Sequence, residues 1–253
     1  PEKEMTIDRT GSKGAGFSIS MGAVSKVEIG ERGWYIEVNG NHTSFPVVEK
    51  TLYNVAPGGE VLIKTELPFS QGFGMSGACA LSAAMAALKE EDKDIGKAVE
   101  LAHASEVFCR TGLGDVIAQS KGGFETRIKE GLPPKGKIKF ENIDREVVLA
   151  VMGPPLVTPD VLGDPMMKEW IRSEGNKCLD DFLPDDGFER FIELSLKFAK
   201  NTQFLKEPME EVLNKVGEFG KGSMSMIGNS VFLFGDTEKI YKTLGDEEIV
   251  EDM

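Results

Sequence analysis

Between residues 68 and 78 the chain reads Pro68-Phe-Ser-Gln-Gly72-Phe73-Gly74-Met75-Ser76-Gly77-Ala78. Glycines let backbone approach a ligand closely and accept positive φ. If a helix begins here, its first N–H groups are unpaired and carry partial positive charge. Such a segment is an anion cradle suited to polyphosphate. The same glycines also satisfy GxGxxG, the spacing of a dinucleotide loop, and they fit a plain tight turn with close helix packing. No GxxxxGK[ST] occurs, which excludes a Walker A loop. Farther on, His103-Ala-Ser-Glu106-Val-Phe-Cys-Arg110-Thr-Gly112-Leu-Gly114-Asp115 supplies two carboxylates. Phosphate chemistry needs a divalent metal and a group to orient or deprotonate the attacking hydroxyl, and Glu106 and Asp115 are the right types. Each also has a structural reading: Asp115 as a helix N-cap, Glu106 as a solvated helix side chain. Arg9-Thr-Gly-Ser12-Lys13-Gly-Ala-Gly16 is a second Gly-rich, basic loop or a surface turn. Arg127 has the planar fork that pairs with a carboxylate, or is an exposed cation on a helix, and His103 fits an ordinary helix position.

The elements that must hold these groups follow from periodicity. The first sixty residues read as strands: Phe17, Ile19 and Met21 alternate, Val24 to Ile29 is a further run, and Trp34 to Val38 returns after a turn. Val47 to Val55 is a short helix and Val61 to Leu67 a strand leading into the glycines. Ser76 to Leu88 is rich in Ala, Leu and Met and reads as a helix. Helices are expected at Ile95 to Phe108, from Val116, and at 164–182, 188–201, 208–219 and 237–243, with strands at 146–152 and 230–234. Pro133-Pro134-Lys135-Gly136 marks a linker, dividing an N-terminal lobe (1–135) from a C-terminal one (136–253). Strands first, helices later and a late strand give an α+β class.

Composition limits the partners. The 253 residues carry a formal net charge of −13, which argues against nucleic acid and anionic membranes. Three dispersed cysteines form no CxxC pair, so a disulfide framework or structural zinc is not expected and a reducing cytoplasm fits. Ala78 to Leu88 is too short to span a bilayer.

Taken whole, the string from Pro68 to Ala78 resembles the second motif of the GHMP kinases: proline, a spacer, then Gly-Leu-Gly-Ser-Ser-Ala at a helix start. Phe73 replaces Leu, Met75 the first Ser, and Ser76 matches the second. Gly112-Leu-Gly114-Asp115 followed by Gly122-Gly123 is similar to that family's Ser-Gly-x-Asp and Gly-Gly segment. Arg9 to Gly16 resembles the Arg-Thr-Gly-Ser-Arg-Gly-Ala-Gly string of its archaeal pantoate kinase branch. Gly222-Ser-Met-Ser225-Met-Ile-Gly228-Asn229-Ser230 resembles a degraded third motif.

The resemblance implies a two-lobed fold, with an N-terminal lobe like ribosomal protein S5 domain 2 and a ferredoxin-like C-terminal lobe. It implies ATP held on Pro68, Gly72, Phe73, Gly74, Met75, Ser76, Gly77 and Ala78. It also implies Mg²⁺ on Ser76 and Glu106, Asp115 as base, and pantoate bound by His103, Arg127, Thr158, Arg9 and Ser12. Thr158 departs from the pattern in being followed by Pro159 where relatives often have Lys. A homodimer is implied as well. The family's first motif is missing and is expected before Pro1. Three other readings stand beside this one: a kinase for a homoserine- or mevalonate-like alcohol, a nicotinamide-dependent oxidoreductase on the GxGxxG loop, and a non-catalytic nucleotide-binding regulator.

Overall fold

The computed structural model describes residues 6–156 and 165–245, with the backbone of 248–252. The chain divides into two compact units, residues 1–13, 17–67 and 74–141, and residues 14–16, 68–73 and 142–253.

In the first unit, β2 (Ala23–Ile29), β3 (Gly33–Val38), β4 (Asn41–His42) and β5 (Gly58–Thr65) form a sheet in the order β2-β5-β3-β4. Strand β5 runs antiparallel to β2, with Val27 opposite Val61, and parallel to β3, with Ile36 opposite Val61. The parallel pair is joined through helix α1 (Pro46–Tyr53), as parallel strands require a crossover. Alternation decides the faces: Val27, Ile36, Val61 and Ile63 are buried, whereas Val24 is 71% exposed. An antiparallel strand beside β5 is not the start of a Rossmann sheet, so the dinucleotide reading of the glycines is set aside.

Helix α2 (Met75–Glu90) is buried over most of its surface, with Met85 exposed on the remaining side. Cys79, Ala80, Ala83, Ala84 and Ala87 are each 0% exposed, because alanines let neighbours pack against the backbone itself. Helices α3 (Ala98–Cys109) and α4 (Asp115–Gln119) follow, and a short 3₁₀ turn, Ile95–Lys97, stands where the sequence anticipated the first turn of α3. Strands β6 (Phe124–Lys129) and β7 (Lys137–Glu141) pair as a hairpin whose connection holds the Pro-Pro stretch. The short strand β1 (Gly14–Phe17) precedes all of these.

The second unit is an antiparallel sheet in the order β11-β8-β10-β9, built from β8 (Val147–Val151), β9 (Gly220–Met224), β10 (Ser230–Gly235) and β11 (Glu248–Asp252). Its helices are α5 (Pro165–Phe182), α6 (Phe188–Asn201), α7 (Glu207–Val216) and α8 (Thr237–Leu244). Successive residues of β10 serve opposite faces. Val231 and Leu233 join Met209, Val212 and Ile240 in one core, while Phe232 and Phe234 meet Phe191 and Phe188 with ring centroids 6.1 and 5.1 Å apart. Cover on both faces explains why Val231 to Phe234 is a continuous apolar run.

Candidate active site

The Gly-rich segment has two differently supported halves. In the second unit, Gln71 is 2% exposed and hydrogen-bonded throughout. Its Nε2 donates to the Gly153 carbonyl at 3.0 Å, its Oε1 accepts from the Asn229 amide at 3.2 Å, and its own carbonyl accepts from Ser230 Oγ at 2.6 Å. Gly72 has φ +81° and presses on the Ser225 carbonyl, leaving no room for a side chain. The third motif thus overlaps the end of β9, and the loop that follows grips residues 71–72.

In the first unit, Gly74 stands at the N-cap of α2 in a left-handed conformation (φ 67°), with no side chain capping the helix and no acidic residue in its first turn. Ala78 is the first residue to bond back, its amide donating to the Gly74 carbonyl at 3.1 Å. The earlier amides and the positive end of the helix are thus left for an anion.

Three side chains converge on this helix start. Glu106, in the last turn of α3, is 1% exposed. Its Oε1 accepts from Thr111 Oγ1 at 3.3 Å, and Oε2 has no partner. The Ser76 hydroxyl lies near enough to stabilise the ionised carboxyl, yet Ser76 Oγ is itself buried and completes no hydrogen bond. Gln119 donates Nε2 to the Gly74 carbonyl at 2.9 Å, and its buried Oε1 is unpaired. A Cβ on Gly77 would lie 3.1 Å from Glu106 Oε2 and 3.2 Å from Gln119 Oε1, which locates both oxygens against the first turn of α2. A Cβ on Gly112 would come within 2.5 Å of Glu106 Oε2, so that glycine leaves the carboxylate its place.

Asp115 is the first residue of α4, and Gly114 takes the N-cap position with no side-chain cap bond. The carboxylate lies beside Gly74, its Cγ 3.7 Å from where a Cβ would stand. Burial raises the Asp115 pKa and Arg127 opposes the shift. Burial, then the charge of Asp115, pushes Glu106 up to about 8. Two carboxyl groups sharing a dehydrated corner need positive charge between them.

Arg127 lies on β6, not on a helix. Its side chain is 14% exposed, it pairs with the buried Glu125, and its Nε is unpartnered. The guanidinium and Ser12 Oγ both crowd Gly114, within 2.9 Å of a Cβ there. The Ser12 amide donates to the Leu113 carbonyl at 3.1 Å, which ties the first basic loop to the turn carrying Asp115. Burial pushes Glu125 up to about 7, with Arg127 pulling the other way. Arg9 is exposed. His103 is 0% exposed and its Nε2 meets the Thr10 carbonyl at 2.9 Å. A carbonyl only accepts, so Nε2 carries the proton, and burial keeps the ring neutral by lowering its pKa. The histidine props the Arg9–Ser12 loop from inside. Thr158 lies outside the described residues.

Three groups were not anticipated from sequence as parts of this chemistry: Gln119, Glu125 and Thr111. The spacing of Gln119 four residues after Asp115 on a helix was the one available signal.

Ser76 and Glu106 fit a magnesium ion. Among the described residues no three His, Cys, Asp or Glu side chains gather into a metal cage. One hydroxyl and one carboxylate, both with unpartnered buried oxygens, suit Mg²⁺, which keeps waters and substrate oxygens for most of its shell.

Known proteins resemble this chain over most of its length. The family model "GHMP kinases N terminal domain" matches residues 44–123, the span from the start of α1 to the Gly-Gly pair before β6. The pantoate kinase of Methanocaldococcus jannaschii is 32% identical over 241 residues, 93% of this chain and 88% of that protein. The pantoate kinase of Thermococcus kodakarensis is 32% identical over 265 residues, 97% of this chain and 87% of that one. A solved "Phosphotransferase related to CoA biosynthesis pathway" superposes with TM-score 0.85 at 29% identity, covering 100% of this chain and 90% of its own. The mevalonate kinase of Methanococcus jannaschii, at 15% identity and TM-score 0.70 with 96% and 92% covered, shares the fold. Likeness that runs nearly end to end in both sequence and structure leaves one placement: the chain belongs to the GHMP kinase superfamily, alongside the pantoate kinases.

Proposed function

We propose that this enzyme transfers the γ-phosphoryl group of ATP to the hydroxyl of pantoate, giving 4-phosphopantoate on the route to coenzyme A. The observation that carries the reading is the pair of unpartnered buried oxygens, Ser76 Oγ and Glu106 Oε2, at an uncapped helix start. Pantoate as acceptor is supported by the names of the relatives in Methanocaldococcus jannaschii and Thermococcus kodakarensis.

The triphosphate lies on the amides that open α2. Ser76 and Glu106 would hold Mg²⁺, which would offset negative charge on the phosphate oxygens. Asp115 accepts the proton as the pantoate oxygen forms its bond to the γ-phosphorus. The bond from that phosphorus to the bridging oxygen breaks, and ADP departs with those electrons. Arg127 and Ser12 flank Asp115, and the free edge of the guanidinium suits the pantoate carboxylate. Arg9 is assigned to the acceptor by resemblance. His103 contributes through the loop it supports, and Thr158 is assigned to the acceptor by resemblance. The boundary expected at 135 falls inside the β6–β7 connection, so the nucleotide-binding lobe is assigned to the unit that runs to residue 141 and the C-terminal lobe to the unit that continues from 142. The active species is a homodimer, checked by light scattering after size exclusion. The free thiols of Cys79, Cys109 and Cys178 accord with a cytoplasmic setting, and no helix among the described residues is long and apolar enough to cross a membrane.

The test is an acceptor screen with ATP and Mg²⁺, reading ADP release with pantoate, homoserine and mevalonate. Turnover with pantoate alone is expected. Equal or better turnover with either other alcohol overturns the acceptor assignment.

A further inference from the structure

Gln119 has half of its hydrogen-bonding capacity committed and half waiting. Which end of the amide points where is settled by its neighbour: the Gly74 carbonyl can only accept, so the group 2.9 Å from it is the NH₂. The amide oxygen is then directed away from Gly74, is buried, and meets no donor. Leaving a buried acceptor unpaired is destabilising, so a donor that arrives with a ligand would recover that loss. The second unpaired acceptor, Glu106 Oε2, is its neighbour, since both oxygens lie within 3.2 Å of the same point beside Gly77. Two unpaired acceptors facing one space call for a species with two donors. A metal-bound water has two protons to give and is more strongly polarised than a free one.

We propose that Gln119 is a positioning residue with two separate duties, holding the Gly74 carbonyl through Nε2 and receiving a water of the Mg²⁺ shell through Oε1. The first duty fixes the left-handed residue from which the anion-binding helix starts. The second orients the hydrated face of the metal held by Ser76 and Glu106. Because Gln119 follows Asp115 by four residues on α4, base and amide share one helical face, and one short helix aligns both with the opening of α2. The inference rests on the kinase reading above.

Two substitutions separate the duties. Gln119→Leu removes donor and acceptor at similar size, whereas Gln119→Glu keeps an acceptor and removes the amide donor. The measurement is binding of a non-hydrolysable ATP analogue, by thermal shift and calorimetry, with and without Mg²⁺, alongside steady-state kinetics. In the wild type Mg²⁺ is expected to tighten the analogue. In Q119L that tightening shrinks about tenfold, the worth of one good hydrogen bond, and kcat falls while KM for pantoate is unchanged. In Q119E the Mg²⁺ increment persists, but the analogue binds more weakly than to wild type when Mg²⁺ is absent. A wild-type Mg²⁺ increment in Q119L, or identical behaviour of the two variants, overturns the proposal. If Q119L does not fold, Q119E decides by itself, since a lost Mg²⁺ increment there is contrary to it. A wild-type protein that binds the analogue with no response to Mg²⁺ refutes the metal-dependent kinase reading instead.

Discussion

In the second unit Gln71 gives its amide proton to Gly153 and receives one from Asn229, whereas in the first unit Gln119 gives a proton to Gly74 and receives none. The contrast extends to their surroundings. Around Gln71, Ser230 and Asn229 complete their bonds, Asn229 reaching the Pro154 carbonyl at 2.7 Å. Around Gln119, Ser76 Oγ and Glu106 Oε2 stay open, and nearby Arg127 Nε and Glu125 Oε2 do too. A closed network fixes backbone, and an open one, kept buried at a cost, marks where a ligand completes the set. The two glutamines thus distinguish a clamp from a socket.

The largest effect should come from the socket. Asp115→Ala is expected to cut kcat by about 10³-fold, within the usual worth of a general base. Its melting temperature should not fall, because removing one of two neighbouring carboxylates relieves Glu106. Near-normal turnover would contradict the assigned role. On the clamp side, Gln71→Ala should leave the Asn229 amide and Gly153 carbonyl unpaired and cost about 2 kcal/mol in a denaturant titration. A loss below a few tenths would erase the distinction drawn here. Glu106→Gln should behave oppositely to Gln71→Ala. Measured free of metal and nucleotide at pH above 8, it should melt a few degrees higher than wild type, while stabilisation by Mg²⁺ with the ATP analogue disappears. The smallest effect concerns His103, whose pKa is lowered from 6.5 by burial. The unfolded chain takes up this proton before the folded one. Stability should therefore fall as pH drops below about 6.5, by no more than about 1.4 kcal/mol per pH unit. His103→Gln should flatten that slope in pH-dependent melting curves.

Much of the fold was legible because its signals are local. The alanines of α2, the alternation of β2 and the apolar run of β10 each declare an element without reference to the rest. Strand β6 was hidden because a helix from Val116 with Arg127 on it leaves no room for a strand, whereas α4 ends at Gln119 and Arg127 lies on β6. Strand β9 was hidden by its glycines, which weaken a strand on paper. Gly222 is there because a Cβ would strike the Phe232 carbonyl of the adjacent strand. For the site, Ser76, Glu106 and Asp115 came from resemblance, and the geometry puts all three around one helix start. What no pattern could show was burial of polar atoms. His103 reads as a candidate for the acceptor and is instead enclosed against Thr10, while the Glu125–Arg127 pair becomes visible only once β6 is known to be a strand. Hydrogen-bond vacancies belong to three dimensions, and spacing along the chain does not record them.

The alanine surface of α2 has a bearing on binding entropy. A helix whose alanine face is packed this closely against its neighbours has little freedom to swing or rotate when an anion arrives. The amides at its tip are aimed in advance, and little motion remains to be frozen out when the triphosphate is captured. Ala80 and Ala84 touch no ligand, yet enlarging either should spoil that aim from a distance, by shifting the whole rod by a fraction of an ångström.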